Sequence, residues 1–319
     1  MIDRGIVKEN IKRFWPVSLV AALVYFMLVF TFLWSNNHFT QSHAMANSMV
    51  WILAMKDWYI IAGIIIVPFV VVACVFGFFN SPRLTTMMYA LPVSKKVLIR
   101  SCGVSGIILI LLSLVGLVIP LLVPVYNIAY HPHGWWQEVY FPGIVFANSL
   151  AFGDVVNTLP VVAGFMVRMA VAKLFYFGLF WLAYSVAGNR ISAFLSAALL
   201  PLLPVVIYAT GVWVGQLFVF GFPHTAEQSM PSYVFAITNP AIWFRSYFSW
   251  RGRFEFVAHF SVICGIISAL LCMLAYFVSC RRKVEITGNL FMFRPVKNIL
   301  IFVAALIFMY VFAMISVAL

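Results

Sequence analysis

Seven stretches of the chain read as unbroken apolar sequence, and between them polar positions come in short, mostly basic clusters. The stretches cover residues 16–34, 59–79, 103–125, 161–187, 192–219, 256–280 and 299–319. A helix of about 20 residues crosses a bilayer, and each run is near or above that length. A spanning β-strand would alternate its two faces, and these runs do not alternate. The pattern therefore predicts membrane-crossing helices. Pro68, Pro120, Pro124, Pro201 and Pro204 fall inside the second, third and fifth runs. A helix-interior proline frees a carbonyl and clashes with the preceding turn, so these are candidate kinks, either packing bends or mobile hinges.

Three shorter features stand out between the runs. Ser81 suits an N-cap and Pro82 a first helical position, with Arg83 next in the chain. Leu84, Met87, Met88 and Leu91 then recur at i, i+3, i+4 and i+7, one face of a helix that Pro92 ends. Ser94 is placed to cap the helix that leads into the third run. A two-turn helix is marginal alone in water, so its apolar face needs a surface to dock on. That surface is either the membrane or a groove on a partner protein, where methionine gives an adaptable contact. Residues 1–15 carry Arg4, Lys8 and Lys12 as a stripe, with Val7, Ile11, Phe14 and Trp15 on an arc. They suit an amphipathic helix on the inner leaflet, or a simple topogenic charge cluster. Gly188-Asn189-Arg190 is a short turn that joins the fourth and fifth runs as a hairpin, with the glycine suited to a helix C-terminus.

Composition narrows the class. Of 319 residues, 65% are hydrophobic and 9% charged, against about 45–50% and about 25% in a soluble domain. A soluble enzyme, a secreted disulfide scaffold and a disordered chain are excluded. The net charge of +12 is carried in short loops, not on a solvated domain, so no nucleic-acid partner is expected. With the N-terminus inside, fourteen of the twenty Lys and Arg residues fall in inside segments, which fixes a cytoplasmic N-terminus by the positive-inside rule. The first run is longer than the roughly 7–15 apolar residues of a signal peptide and is expected to stay uncleaved. The last run reaches Leu319, so either the final helix stops at the outer surface or a longer sequence continues it.

Candidate chemistry is sparse. Five cysteines, Cys74, Cys102, Cys264, Cys272 and Cys280, lack ligand spacing and read as packing residues. His131-Pro132-His133 has no third ligand nearby, so no metal site is expected. None of the eighteen glycines precedes a lysine, which excludes a phosphate-binding loop. HExxH and GxSxG are absent, so no catalytic residues are assigned and the chain is expected not to be an enzyme. No Asp or Glu lies well inside a run, which argues against an ion-driven carrier. Arg168 and Lys173 fall in the fourth run, about 28 and about 21 Å from its inner end at helical rise. They either anchor and snorkel to the outer interface or line a polar substrate path. The outer segments, 126–160 and 220–255, are aromatic, and 233–248 suits a short re-entrant helix.

The layout resembles the type-2 ABC exporter permeases, and is most similar to the Firmicutes type. The likeness is specific in residues 80–106 (NSPRLTTMMYALPVSKKVLIRSCGVSG), where ALPVSKK looks like that group's LP-[VI]-S-[RK] segment, and in 281–297 (RRKVEITGNLFMFRPVK). It implies an all-α integral membrane protein: a single transmembrane domain over 1–319, with an amphipathic helix at 1–15, a six-span permease core at 16–280, a basic connector at 281–297 and a seventh span at 298–319. It implies a multi-pass permease of a bacterial plasma membrane. Pro82, Arg83, Leu84, Met87, Met88 and Leu91 would form the coupling helix that docks on separate ABC ATP-binding subunits, with Gly188, Asn189 and Arg190 a candidate second cytoplasmic contact. No cofactor would sit on this chain; ATP and Mg would be held by the partner. A second permease copy or paralogue would complete the path, and closure of the ATP-binding subunits would rock the two permeases apart. The rival reading is a non-transporting membrane anchor or sensor associated with an ATPase.

Overall fold

The computed structural model describes residues 2–35, 58–118, 120, 122, 155–200, 207, 211, 254–282, 298, 301, 302 and 305. All its regular elements are helical among the described residues: α1 (Arg4–Ser35), α2 (Trp58–Phe76), a 3-10 turn (Gly77–Asn80), α3 (Pro82–Tyr89), α4 (Lys95–Ser113), α5 (Val155–Val186), α6 (Arg190–Leu199) and α7 (Phe254–Arg281). Five helical segments are long and apolar enough to cross a membrane: Arg4–Leu28, Ala62–Asn80, Lys95–Val118, Ala163–Val186 and Ser261–Arg281. They correspond to the first, second, third, fourth and sixth apolar runs. α6 begins the fifth run. Most of 201–219, the stretches 123–154 and 212–253, residues 283–297 and most of the seventh run lie outside the described residues, as do His131 and His133.

The N-terminal stretch read as a helix leading into the first span is continuous with that span. Residues 4–35 form one helix with Pro16 inside it. The Asp3 carboxylate accepts from Gly5 N (2.8 Å) and Ile6 N (3.2 Å), capping the first turn. The Asp3 N–H donates to Ser101 Oγ at 2.9 Å, and Asn10 Nδ2 donates to Ser105 Oγ at 3.3 Å. These bonds hold the N-terminal turns along α4. Pro68 likewise lies inside α2 without ending it.

α5 is the central helix, packed against α7 and α2 and touching α4 and α6, while α1 lies along α4 and α2. Its buried side includes Phe165, Met169, Tyr176, Phe177, Phe180 and Trp181. The outward faces of α1 and α7 are equally apolar, with Val20, Leu23, Met27, Val262, Ile266, Leu270 and Phe277 all exposed. Helices apolar all round belong in lipid. With lipid outside, close contact between helices comes from small residues and from paired polar groups. A Cβ on Gly178 would lie 3.0 Å from Leu271 Cβ and 3.1 Å from Cys272 N, so glycine lets α5 and α7 approach. Beside it, Trp181 Nε1 donates to Ser279 Oγ (3.2 Å), which pairs with Ser185 Oγ (2.6 Å).

Gly178→Ala is expected to destabilise the protein by about 1–3 kcal/mol through overpacking. Gly265→Ala, on α7 with open space around it, should be neutral or slightly stabilising. Thermal unfolding of both variants in one detergent checks this; equal melting temperatures would contradict the close α5–α7 crossing.

Candidate partner-docking site

α3 is short and local bonds define it. Ser81 occupies the N-cap position in extended backbone, but its hydroxyl makes no capping bond, and Pro82 opens the helix. Thr85 does the fastening instead: its Oγ1 donates to Phe78 O (2.6 Å) and to Ser81 O (2.8 Å). The helix ends at Tyr89 with Ala90 as C-cap, so Leu91 and Pro92 lie just beyond it. Ser94 sits at the N-cap of α4, also without a side-chain capping bond.

The face read from the sequence divides in two. Met87 is 70% exposed, Leu91 42% and Leu84 40%, and Pro82 and Arg83 are exposed as well. Met88 is half-buried and packs with Tyr89 against the core, and Thr85 is fully buried. At about 100° per residue, positions 84 and 87 share one arc and 85 and 89 the opposite one, with 88 at the border, while Leu91 follows just beyond the helix. The outward side is apolar and exposed, most of all at Met87.

Arg282, directly after α7, fastens this corner from beneath and is only 2% exposed. Its Nη1 donates to Tyr184 O (2.9 Å) and Ser185 O (3.3 Å) at the end of α5. Its Nη2 donates to Phe79 O and Asn80 Oδ1 in the 3-10 turn, and the guanidinium lies 4.9 Å from the Phe79 ring centroid. Lys95 Nζ, from α4, donates to the Arg282 carbonyl. Burial lowers the Arg282 pKa to about 10, which leaves it a cation at neutral pH, and burial pushes the Tyr89 phenol up to about 12. Phe76 stacks on Trp181 at 4.7 Å and Phe79 packs on Phe78 at 4.5 Å, which makes the floor of the corner rigid and apolar. Sequence reasoning places Arg282 only among topology-setting charges. Its acceptors lie 97 to 203 residues away, and no local pattern points to them.

The turn at Gly188, Asn189 and Arg190 lies at the same end. Asn189 caps α6: its Oδ1 accepts from Ser192 N (2.7 Å) while its own N–H donates to Ser192 Oγ (3.3 Å), a capping box. The Asn-x-x-Ser spacing that makes this cap is legible in the chain itself. Gly188 is buried and Arg190 exposed. Through the Asp3–Ser101, Lys95–Arg282 and Arg282–Tyr184 contacts, the N-terminus, α3, this turn and the end of α7 all share one end of the bundle.

Arg168 and Lys173 are placed elsewhere. Lys173, read from the sequence as either snorkelling to the outer interface or lining a polar path, has no exposed surface. Its Nζ donates to Ser113 Oγ at 2.8 Å and lies 4.3 Å from the Tyr25 ring centroid, enclosed by α1, α4 and α5. Gly63 makes room for this ring, since a Cβ there would overlap the Tyr25 side chain. Arg168 is 9% exposed, and its Nε donates to Gly164 O at 2.9 Å. Comparisons with protein-family models, curated proteins and solved structures found no match.

Ser113→Ala is expected to lose about 1–3 kcal/mol, because a buried ammonium loses its hydrogen bond. Lys173→Met removes the charge and should be better tolerated. The double variant should then be no less stable than Lys173→Met alone; thermal unfolding of the three proteins measures this coupling, and strictly additive losses would contradict it.

Proposed function

We propose that this chain is the permease subunit of an ATP-driven exporter, docked through α3 onto separate ATP-binding subunits. The observation that carries the reading is the exposure of Leu84 and Met87 on a helix whose back is fixed to the bundle, with Leu91 exposed just beyond its end. Apolar side chains on a short helix held rigidly at one end of a bundle suit a groove on a partner protein. The resemblance of residues 80–106 and 281–297 to type-2 ABC exporter permeases names the partner class. In this reading the spans form the six-helix core with a seventh span, the N-terminus is cytoplasmic, and the protein resides in a bacterial plasma membrane. ATP and Mg belong to the partner, and a second permease copy or paralogue completes the substrate path. ATP closure of the partner displaces α3, and two arrangements of the spans, each favoured by one nucleotide state, give alternating access.

The test is co-purification of the tagged full chain from its host membranes in mild detergent. An ATPase carrying a GxxxxGK[ST] loop is expected to accompany it. Met87→Asp and Leu91→Asp should weaken that pairing at least tenfold while insertion is retained, because the altered side chains are exposed in the free subunit and buried unpaired only in the complex. Pairing unchanged in both variants would remove α3 as the docking element. An ATPase retained without export from proteoliposomes would favour the anchor reading.

A further inference from the structure

Arg282 is a buried cation whose hydrogen-bonding acceptors are the Tyr184, Ser185 and Phe79 carbonyls and the Asn80 side-chain oxygen. No carboxylate neutralises it among the described residues. These carbonyls are no random set. Tyr184 and Ser185 fall in the last turn of α5, and Phe79 in the 3-10 turn that ends the second span. The last carbonyls of a helix have no partner within it and carry the negative end of its dipole. One guanidinium therefore caps two helix ends at once, from a position anchored to a third helix, α7. A planar fork with several N–H donors makes this possible, and an ammonium cannot reproduce it.

α3 hangs from the same turn. Thr85 Oγ1 and Ser81 N both donate to Phe78 O, one residue from the Phe79 carbonyl that Arg282 holds. A displacement of α3 thus reaches Phe78–Phe79 first and the guanidinium next. We propose that Arg282 is the positioning residue that makes α3 and the ends of α5 and α7 move as one body. Motion imposed on α3 is then delivered to the central pair of spans instead of being absorbed in the turn. The use of this linkage in export rests on the permease reading above; the linkage itself does not.

Hydrogen–deuterium exchange on the full chain in lipid nanodiscs tests it, comparing wild type with Arg282→Lys, which keeps the charge, and Arg282→Gln. In the chain alone, both variants should exchange the amides of 78–90 and 184–187 at least tenfold faster, with 98–110 of α4 unchanged as the folding control. Exchange unchanged at 78–90 in Arg282→Lys overturns the proposal. In the complex with the ATPase, MgATP should alter exchange at both 82–89 and 184–187 in wild type. In Arg282→Lys the change should persist at 82–89 and vanish at 184–187; persistence at both also overturns the proposal. A merely structural role would raise exchange without separating the two responses. Should wild type bring no ATPase, the docking reading fails, and the first comparison still judges Arg282.

Discussion

Every helix ends with carbonyls that its own backbone leaves without donors, and in a bilayer protein water answers for few of them. Here the ends of the second span and of α5 are answered by a single side chain, Arg282, which lies beyond reach of solvent. This sets the geometry of the surrounding corner. Phe79 of the 3-10 turn stacks on Phe76, which in turn stacks on Trp181, α4 is tied in through Lys95, and α3 is presented outward on a fixed base. A charged group that is costly to bury is tolerated because several dipole ends converge on it.

Away from that corner the bundle coheres by the two means open to helices in lipid. Glycines let backbones approach, as at Gly178 against α7, and hydroxyls pair across the interface, as in Ser185, Ser279 and Trp181. Lys173 belongs to the same economy of polar groups. Its ammonium is shared between a serine hydroxyl and an aromatic face, and so pins α5 against α4 and α1.

Much of this was legible in the chain. Unbroken apolar runs located the five long helices, and the spacing of Leu84, Met87 and Leu91 located both α3 and its exposed side. Met88 fell inward because it borders the arc set by Thr85 and Tyr89, a division of about 100° per residue that an i, i+3, i+4 pattern does not resolve. What the pattern does not show is how the start of α1 is held, since its bonds join Asp3 and Asn10 to α4 some ninety residues away. Distance from the helix end leaves Lys173 inside the apolar run with only its reach to go by, whereas the Tyr25 ring that Gly63 makes room for decides its surroundings. Arg282 was hidden most thoroughly, since in a run of basic residues nothing local separates a topology signal from a buried tether.

The placement of Arg282 directly after Arg281, the last residue of α7, fixes a helical phase as well as a contact. An insertion or deletion of one residue in the final turns of α7 would swing the guanidinium by about 100° around the helix axis and shift it about 1.5 Å along it. Arg281, its exposed neighbour, would then be turned toward the carbonyls or away from them according to the direction of the change. The length of α7 is thereby tied to the corner that it closes.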